Sequence, residues 1–157
     1  MGMLRAVGRG LAAGAAGTTA LNAATYLDMA FRARPASELP AKAVDLIADK
    51  ADRPIPGEGA HQDNRRQALG ALMGIATGLG VGVAAGFAGP ILTRLPPMMS
   101  GLLVGAGAMA ASDVPMASLG LTDPEHWTAS DWVSDTVPHA AYGLAVVATL
   151  RALRDKS

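Results

Sequence analysis

The chain contains no cysteine, which removes disulfides, thiolate catalysis and cysteine-ligated zinc or iron–sulfur centres. Aromatic residues are almost as scarce: two each of Trp, Tyr and Phe, 4% of 157 residues. A soluble domain of this length ordinarily fills its core with such rings, so an ordinary soluble enzyme is a poor fit. Charge is thin as well. Charged residues make up 17% of the chain, against the usual quarter or so. The formal net charge is zero, so the basic excess that nucleic-acid binding needs is missing.

What fills the chain instead is small and apolar. Half of it is hydrophobic, and Ala and Gly together supply 52 residues. The apolar residues gather in four windows, about 10–30, 68–89, 99–120 and 133–153. Each would measure about 32 Å as a helix at 1.5 Å per residue, the thickness of a hydrocarbon core of about 30 Å. Window 68–89 carries no charge. Window 99–120 holds one Asp and one Pro, and window 133–153 has Asp135, Pro138 and His139 near its start. Thr18, Thr19, Asn22 and Thr25 dilute the first window. With Arg5 and Arg9 ahead of it, that window also admits a signal-peptide reading, although it lacks a Leu-rich centre. The expectation is all-α: a single membrane domain, an integral bundle of four transmembrane helices.

The connections differ in character. Residues 31–67 read as a long polar loop containing one short amphipathic helix, Ser37–Ala51, with Ser37 as N-cap and Leu39, Ala43, Leu46 and Ile47 on one face. Such a helix suits the membrane surface or a cap on the bundle. Pro90, Pro96 and Pro97 punctuate a tight turn. Residues 121–132 form a polar loop bearing Trp127, with Trp132 at its end; both suit a membrane interface. Counting Lys and Arg by side does not decide the orientation. Loop 121–132 has none, however, while carrying Asp123, Glu125 and Asp131. That places it and the long loop outside and both termini in the cytoplasm.

Two patterns stand out within the windows. Gly70, Gly74, Gly78, Gly82 and Gly86 recur at every fourth position, a ridge suited to close helix packing. Gly101, Gly105 and Met109, or Gly10 and Gly14, offer surfaces for it within the chain. A second copy or another membrane protein is the alternative. The other pattern is polar. Asp113 lies about six residues from the end of its window and His139 about six from the start of the next, which equalises their depth. They are expected to face each other or share a water. Asn22, Tyr26 and Asp28 approach the same side, and Tyr142 sits one turn below His139.

Asp131, Asp135, His139 and Gly143 also follow a four-residue spacing. Hydrogen bonding between helices, a protonatable site and a metal site at Asp131, Asp135 and His139 all remain open readings. No motif for nucleotide, nucleophile or zinc chemistry is present. No catalytic residue, cofactor or metal ligand is therefore assigned.

Residues 115–154 carry Gly120-Leu121-Thr122-Asp123-Pro124, then Trp127, Asp135, His139, Tyr142 and a basic end at Arg151 and Arg154. This layout resembles the YagU-like family of small bacterial inner-membrane proteins. The first third is similar in outline, with Arg34-Pro35 after a small-residue helix. The sequence departs from the family in lacking cysteine and most aromatics. The resemblance implies a multi-helix inner-membrane protein and no reaction, with His139 as its most characteristic position. The Ala, Gly and Arg bias fits a high-GC bacterium. The functional expectation is a structural or accessory membrane protein, not an enzyme, whose partners are the lipid bilayer and a second copy or a larger membrane complex. The rival is a proton- or ion-linked transport or channel role centred on Asp113 and His139.

Overall fold

Alanine-rich runs favour continuous helices, and a computed structural model of the chain, describing residues 2–154, is 83% helical with no strand among them. The elements are α1 (Gly2–Arg32), α2 (Leu39–Lys50), α3 (Gly59–Phe87), α4 (Gly89–Leu92), α5 (Pro97–Ser118) and α6 (Ala129–Arg154). A 3₁₀ turn at Pro124–His126 precedes α6. The four long helices run alternately up and down. α1 lies between α3 and α6, and α5 packs on the other side of α6.

Small side chains set these contacts. A Cβ added to Gly10 would lie 2.6 Å from Val83 Cα, and one on Gly14 2.8 Å from Gly78 O, so the α1 and α3 backbones nearly touch. Gly17 leaves room for the Tyr142 ring and Val146 of α6. Tyr142 is buried, and its hydroxyl donates to Gly78 O at 2.5 Å, tying α6 to α3 across α1. The core is correspondingly thin: Ala13, Ala85, Val104, Ala108, Tyr142, Val146, Val147 and Leu150.

Several boundaries move from their sequence expectation. The polar loop ends earlier than 67, because residues 59–67 are helical and extend α3 by more than two turns beyond its apolar window. The prolines of the tight turn allow the four-residue α4, since Pro90 needs no donor in a first turn. α2 begins at Leu39 with Glu38 in the cap position, although Ser37 Oγ still accepts from the Leu39 N–H at 3.3 Å. Its docked face is Ala43 and Val44, with Pro40 seated against Gly70 of α3. Ile47 is left 53% exposed. An Arg66–Asp45 ion pair at 2.6 Å locks α2 onto α3.

At the other end, Arg151 donates to Leu92 O and Leu95 O, and Arg154 to Gly89 O and the Thr93 hydroxyl. Buried Ser100 donates to Leu92 O at 2.6 Å. The carbonyls left free around the α3–α5 elbow are thereby satisfied. Among the described residues one helix, α3, is long and apolar enough to cross a membrane, and only 17% of its apolar stretch is buried. The polar residues in the other three long helices keep them below that mark.

Candidate functional site

The polar site lies between α5 and α6 near the end that carries the long loop. Its geometry starts from glycine. A Cβ on Gly105 would meet His139 O at 2.5 Å, and Gly143 abuts the backbone of Gly101 and Gly105. With the two backbones this close, the next turns of α5 bring Ser112 and Asp113 alongside Asp135 and His139. His139 Nδ1 lies 2.9 Å from Asp135 O and 3.3 Å from Asp135 Oδ2. A carbonyl only accepts, so Nδ1 carries the proton, and in a neutral ring Nε2 is the acceptor. Ser112 Oγ lies 3.4 Å from that Nε2 and 3.2 Å from Asp113 Oδ1. The one Ser112 hydroxyl proton can serve only one of these acceptors, and Met109 O is nearer at 2.9 Å, so Ser112 sits between Asp113 and His139 without bridging both. Asp113 Oδ2 is a buried oxygen that accepts no hydrogen bond, while the buried Asp135 Oδ2 has the His139 Nδ1 contact as its partner.

Other expected members sit elsewhere. Tyr142 turns the opposite way, toward Gly78 of α3. Asn22 and Tyr26 are exposed on α1 and make no contact with the cluster. The reason is the order of the helices: α1 borders α3 and α6, whereas Asp113 is on α5. Asp131 points away as well. Its carboxylate accepts from the Thr128 N–H at 2.9 Å and from Thr128 Oγ at 2.6 Å, while its own N–H donates back to Thr128 Oγ. This is a capping box that starts α6. Among the described residues no group of three His, Asp or Glu side chains converges as a metal site would require.

The glycine ridge divides. Gly78, Gly82 and Gly86 face α1 at Thr18, Gly14 and Gly10 with Ala6; Gly70 faces Pro40 of α2. A Cβ on Gly74 would meet nothing within 4 Å. Gly101 and Gly105 serve α6, not the ridge.

Two features beyond the expected site hold its surroundings. Asp28 pairs with Arg34 at 2.5 Å and Arg32 at 3.1 Å and accepts from Ser134 Oγ at 3.2 Å, while Arg32 also reaches Ser134 and Ser130. This clamp joins the ends of α1 and α6. In the adjoining loop, Asp123 accepts from His126 Nδ1 at 2.7 Å and from the Glu125 N–H at 3.1 Å. Trp127 donates to Thr122 Oγ at 2.9 Å and meets Trp132 edge-on at 5.0 Å. The hydrogen bond from His126, then that from Glu125, hold the Asp123 carboxyl below its usual range. The Thr128 side chain and N–H do the same for Asp131. The Thr128-x-x-Asp131 spacing was the signal for the cap; nothing local marks the long-range Arg32–Ser130 contact.

Comparison with protein-family models, with curated proteins and with solved structures finds no match to this chain.

Proposed function

We propose that the protein is a small multi-pass membrane protein of four spans, with both termini in the cytoplasm and a structural or accessory role in a bacterial inner membrane. The observation that carries this reading is where the large apolar side chains lie. Leu11, Leu27, Leu72, Ile75, Leu102, Leu103, Val114, Val137 and Leu144 are exposed on the outside of the four long helices. The interior, by contrast, seats Val104, Tyr142, Val146, Val147 and Leu150 among Gly and Ala, so much of the large apolar surface is left outside. A water-soluble bundle turns its apolar stripe inward; exposed apolar area on this scale marks contact with lipid or protein. The likeness to YagU-like proteins points the same way. The glycines of α3 that face α1 and α2 are used within the chain, so partners would meet other faces.

Reporter fusions at Arg53 and after Arg154, with carbonate extraction of membranes, test the reading. The expected result is protein retained in the washed membrane with the two reporters on opposite sides. Release by carbonate, or both reporters on one side, sinks it.

A second reading is favoured by the two carboxylates, Asp113 and Asp135, packed beside His139, the first with an unpartnered buried oxygen. Buried carboxylates flanking an imidazole are suited to holding and releasing a proton. The site would then serve a proton-linked role. The first reading is preferred because the exposed apolar side chains run over all four long helices, whereas this cluster is confined to α5 and α6.

A further inference from the structure

The charges of this chain are sorted by end. Overall, thirteen Asp and Glu balance thirteen Lys and Arg, but the balance is not local. One end of the bundle holds the start of α1, the α3–α5 elbow and the last turn of α6. It carries Arg5, Arg9, Arg94, Arg151 and Arg154, and no carboxylate among the described residues. Twelve of the carboxylates lie toward the opposite end, with seven Lys and Arg; the thirteenth, Asp155, is followed at once by Lys156. The ion pairs of Arg32, Arg34, Lys42 and Arg66 all belong to the acidic end. At the basic end guanidiniums gather instead on a four-residue stretch. Arg151 reaches Leu92 O and Leu95 O, Arg154 reaches the Thr93 hydroxyl, and Arg94 lies between them in the chain. Like charges held this close repel, and no described carboxylate offsets them. Gly86 abuts Ala6 O, which brings Arg5 level with the start of the elbow. Arg5 and Arg94 are exposed and make no hydrogen bond or ion pair. Arg154 is exposed too and commits only Nη1, leaving Nη2 and Nε. The neighbours of these arginines are apolar and bare. Met3 and Leu4, beside Arg5, are 72% and 80% exposed, and Ile91 and Met98, on either side of Arg94, are 66% and 62% exposed.

We infer that this end binds the headgroups of anionic phospholipids, with Arg5, Arg94 and Arg154 on the phosphate and Met3, Leu4, Ile91 and Met98 in the adjoining acyl layer. Charge complementarity argues for an anion, since a guanidinium donates to phosphate oxygens through a planar fork. The apolar neighbours argue for a lipid. A free phosphate would satisfy the arginines and leave the four apolar side chains in water, whereas cations interleaved with apolar side chains match the boundary between headgroups and acyl chains. A zwitterionic headgroup brings its own ammonium against the arginines, so the preference is for lipids of net negative charge. With both termini in the cytoplasm this end meets the inner leaflet, whose surface is negative. The acidic end meets the other. The inference rests on the membrane-spanning reading, and deepens it by naming the lipid class and the end that holds it.

The test uses the full chain in vesicles of known lipid. Protein is first reconstituted in phosphatidylcholine alone and washed in carbonate; loss from these neutral vesicles overturns the spanning reading itself. It is then reconstituted in equal parts phosphatidylcholine and phosphatidylglycerol, re-extracted in mild detergent by an affinity tag, and the lipids that stay bound are counted. The expected result is phosphatidylglycerol enriched about threefold or more over the vesicle, since each arginine near such a surface is worth about fivefold in binding. Arg5→Gln with Arg94→Gln should bring the bound lipids back to the vesicle ratio. Neither side chain holds the fold together, and an unchanged helical circular-dichroism signal checks this. Lys50→Gln with Arg53→Gln, at the acidic end, should leave the enrichment as it is. Inorganic phosphate added at constant ionic strength should not displace the lipid. For protein retained in neutral vesicles, any of four results overturns the lipid site alone: no enrichment, enrichment that survives loss of Arg5 and Arg94, an equal fall from the acidic-end variant, or displacement by inorganic phosphate, which would make the arginines a site for a free anion.

Discussion

At the scale of single residues, the five evenly spaced glycines are not equivalent, and substitution should separate them. Gly82 faces the Gly14 and Gly10 backbone, which cannot swing aside. Gly82→Ala is therefore expected to destabilise the bundle by about 1–3 kcal/mol through overpacking. Gly74 looks onto open space, and Gly74→Ala should be neutral or raise stability by up to about 1 kcal/mol, because alanine is the better helix former. Apparent melting temperatures of the two variants in one mild detergent check this; equal losses would mean that the ridge packs as a unit. The period of the ridge was readable from the sequence. Which glycine meets which neighbour was not, because periodicity assigns residues to a face and leaves the neighbour unnamed. The same limit explains Asn22 and Tyr142. Both were grouped with Asp113 and His139 by depth, yet depth fixes only one coordinate, and the rotation of each helix sends Asn22 outward and Tyr142 to α3.

At the scale of elements, loop 119–128 and the start of α6 form a compact unit held by two carboxylates. Asp123 and Asp131 both have folded-state values below the ordinary 3.8. Their contribution is therefore complete above that value and is lost as the pH falls through the lower folded values. Trp127 and Trp132, the only two tryptophans in the chain, sit in this unit and report on it. Acidification below about 3.8 should change their fluorescence in one step, and Asp123→Asn with Asp131→Asn should remove that step. An unchanged titration in the double variant would show that the carboxylates do not hold the unit. Helix positions were legible wherever apolar residues ran together, as in all four windows. The first turns of α3 were not, since residues 59–67 have no apolar period. They are helical because Arg66 and Gly70 give α2 a surface to dock on.

At the scale of the whole molecule, α1 is the middle piece: it separates α3 from α6 and has its inner face filled, while the outer surface of the bundle is apolar. Proton movement through such a bundle would need both the cluster of Asp113, Ser112, His139 and Asp135 and a route to each side. Protein reconstituted in vesicles with a trapped pH dye tests the proton-linked role. If that role holds, an imposed pH gradient decays faster than in empty vesicles, and Asp113→Asn with unchanged expression abolishes the difference. Equal decay with and without protein removes that role and leaves the accessory one. The overall helix order could not have been read from the windows, because a short turn makes α3 and α5 successive without making them the closest pair.

The stapling of the α3–α5 elbow by Arg151 and Arg154 has a consequence in time. The Arg151–Leu92 contact spans 59 residues of chain, so the elbow leaves the ribosome long before the arginines that complete it. Until then its carbonyls depend on water. Closure of that end thus waits on the docking of α6, which makes the order of synthesis part of how the bundle is assembled.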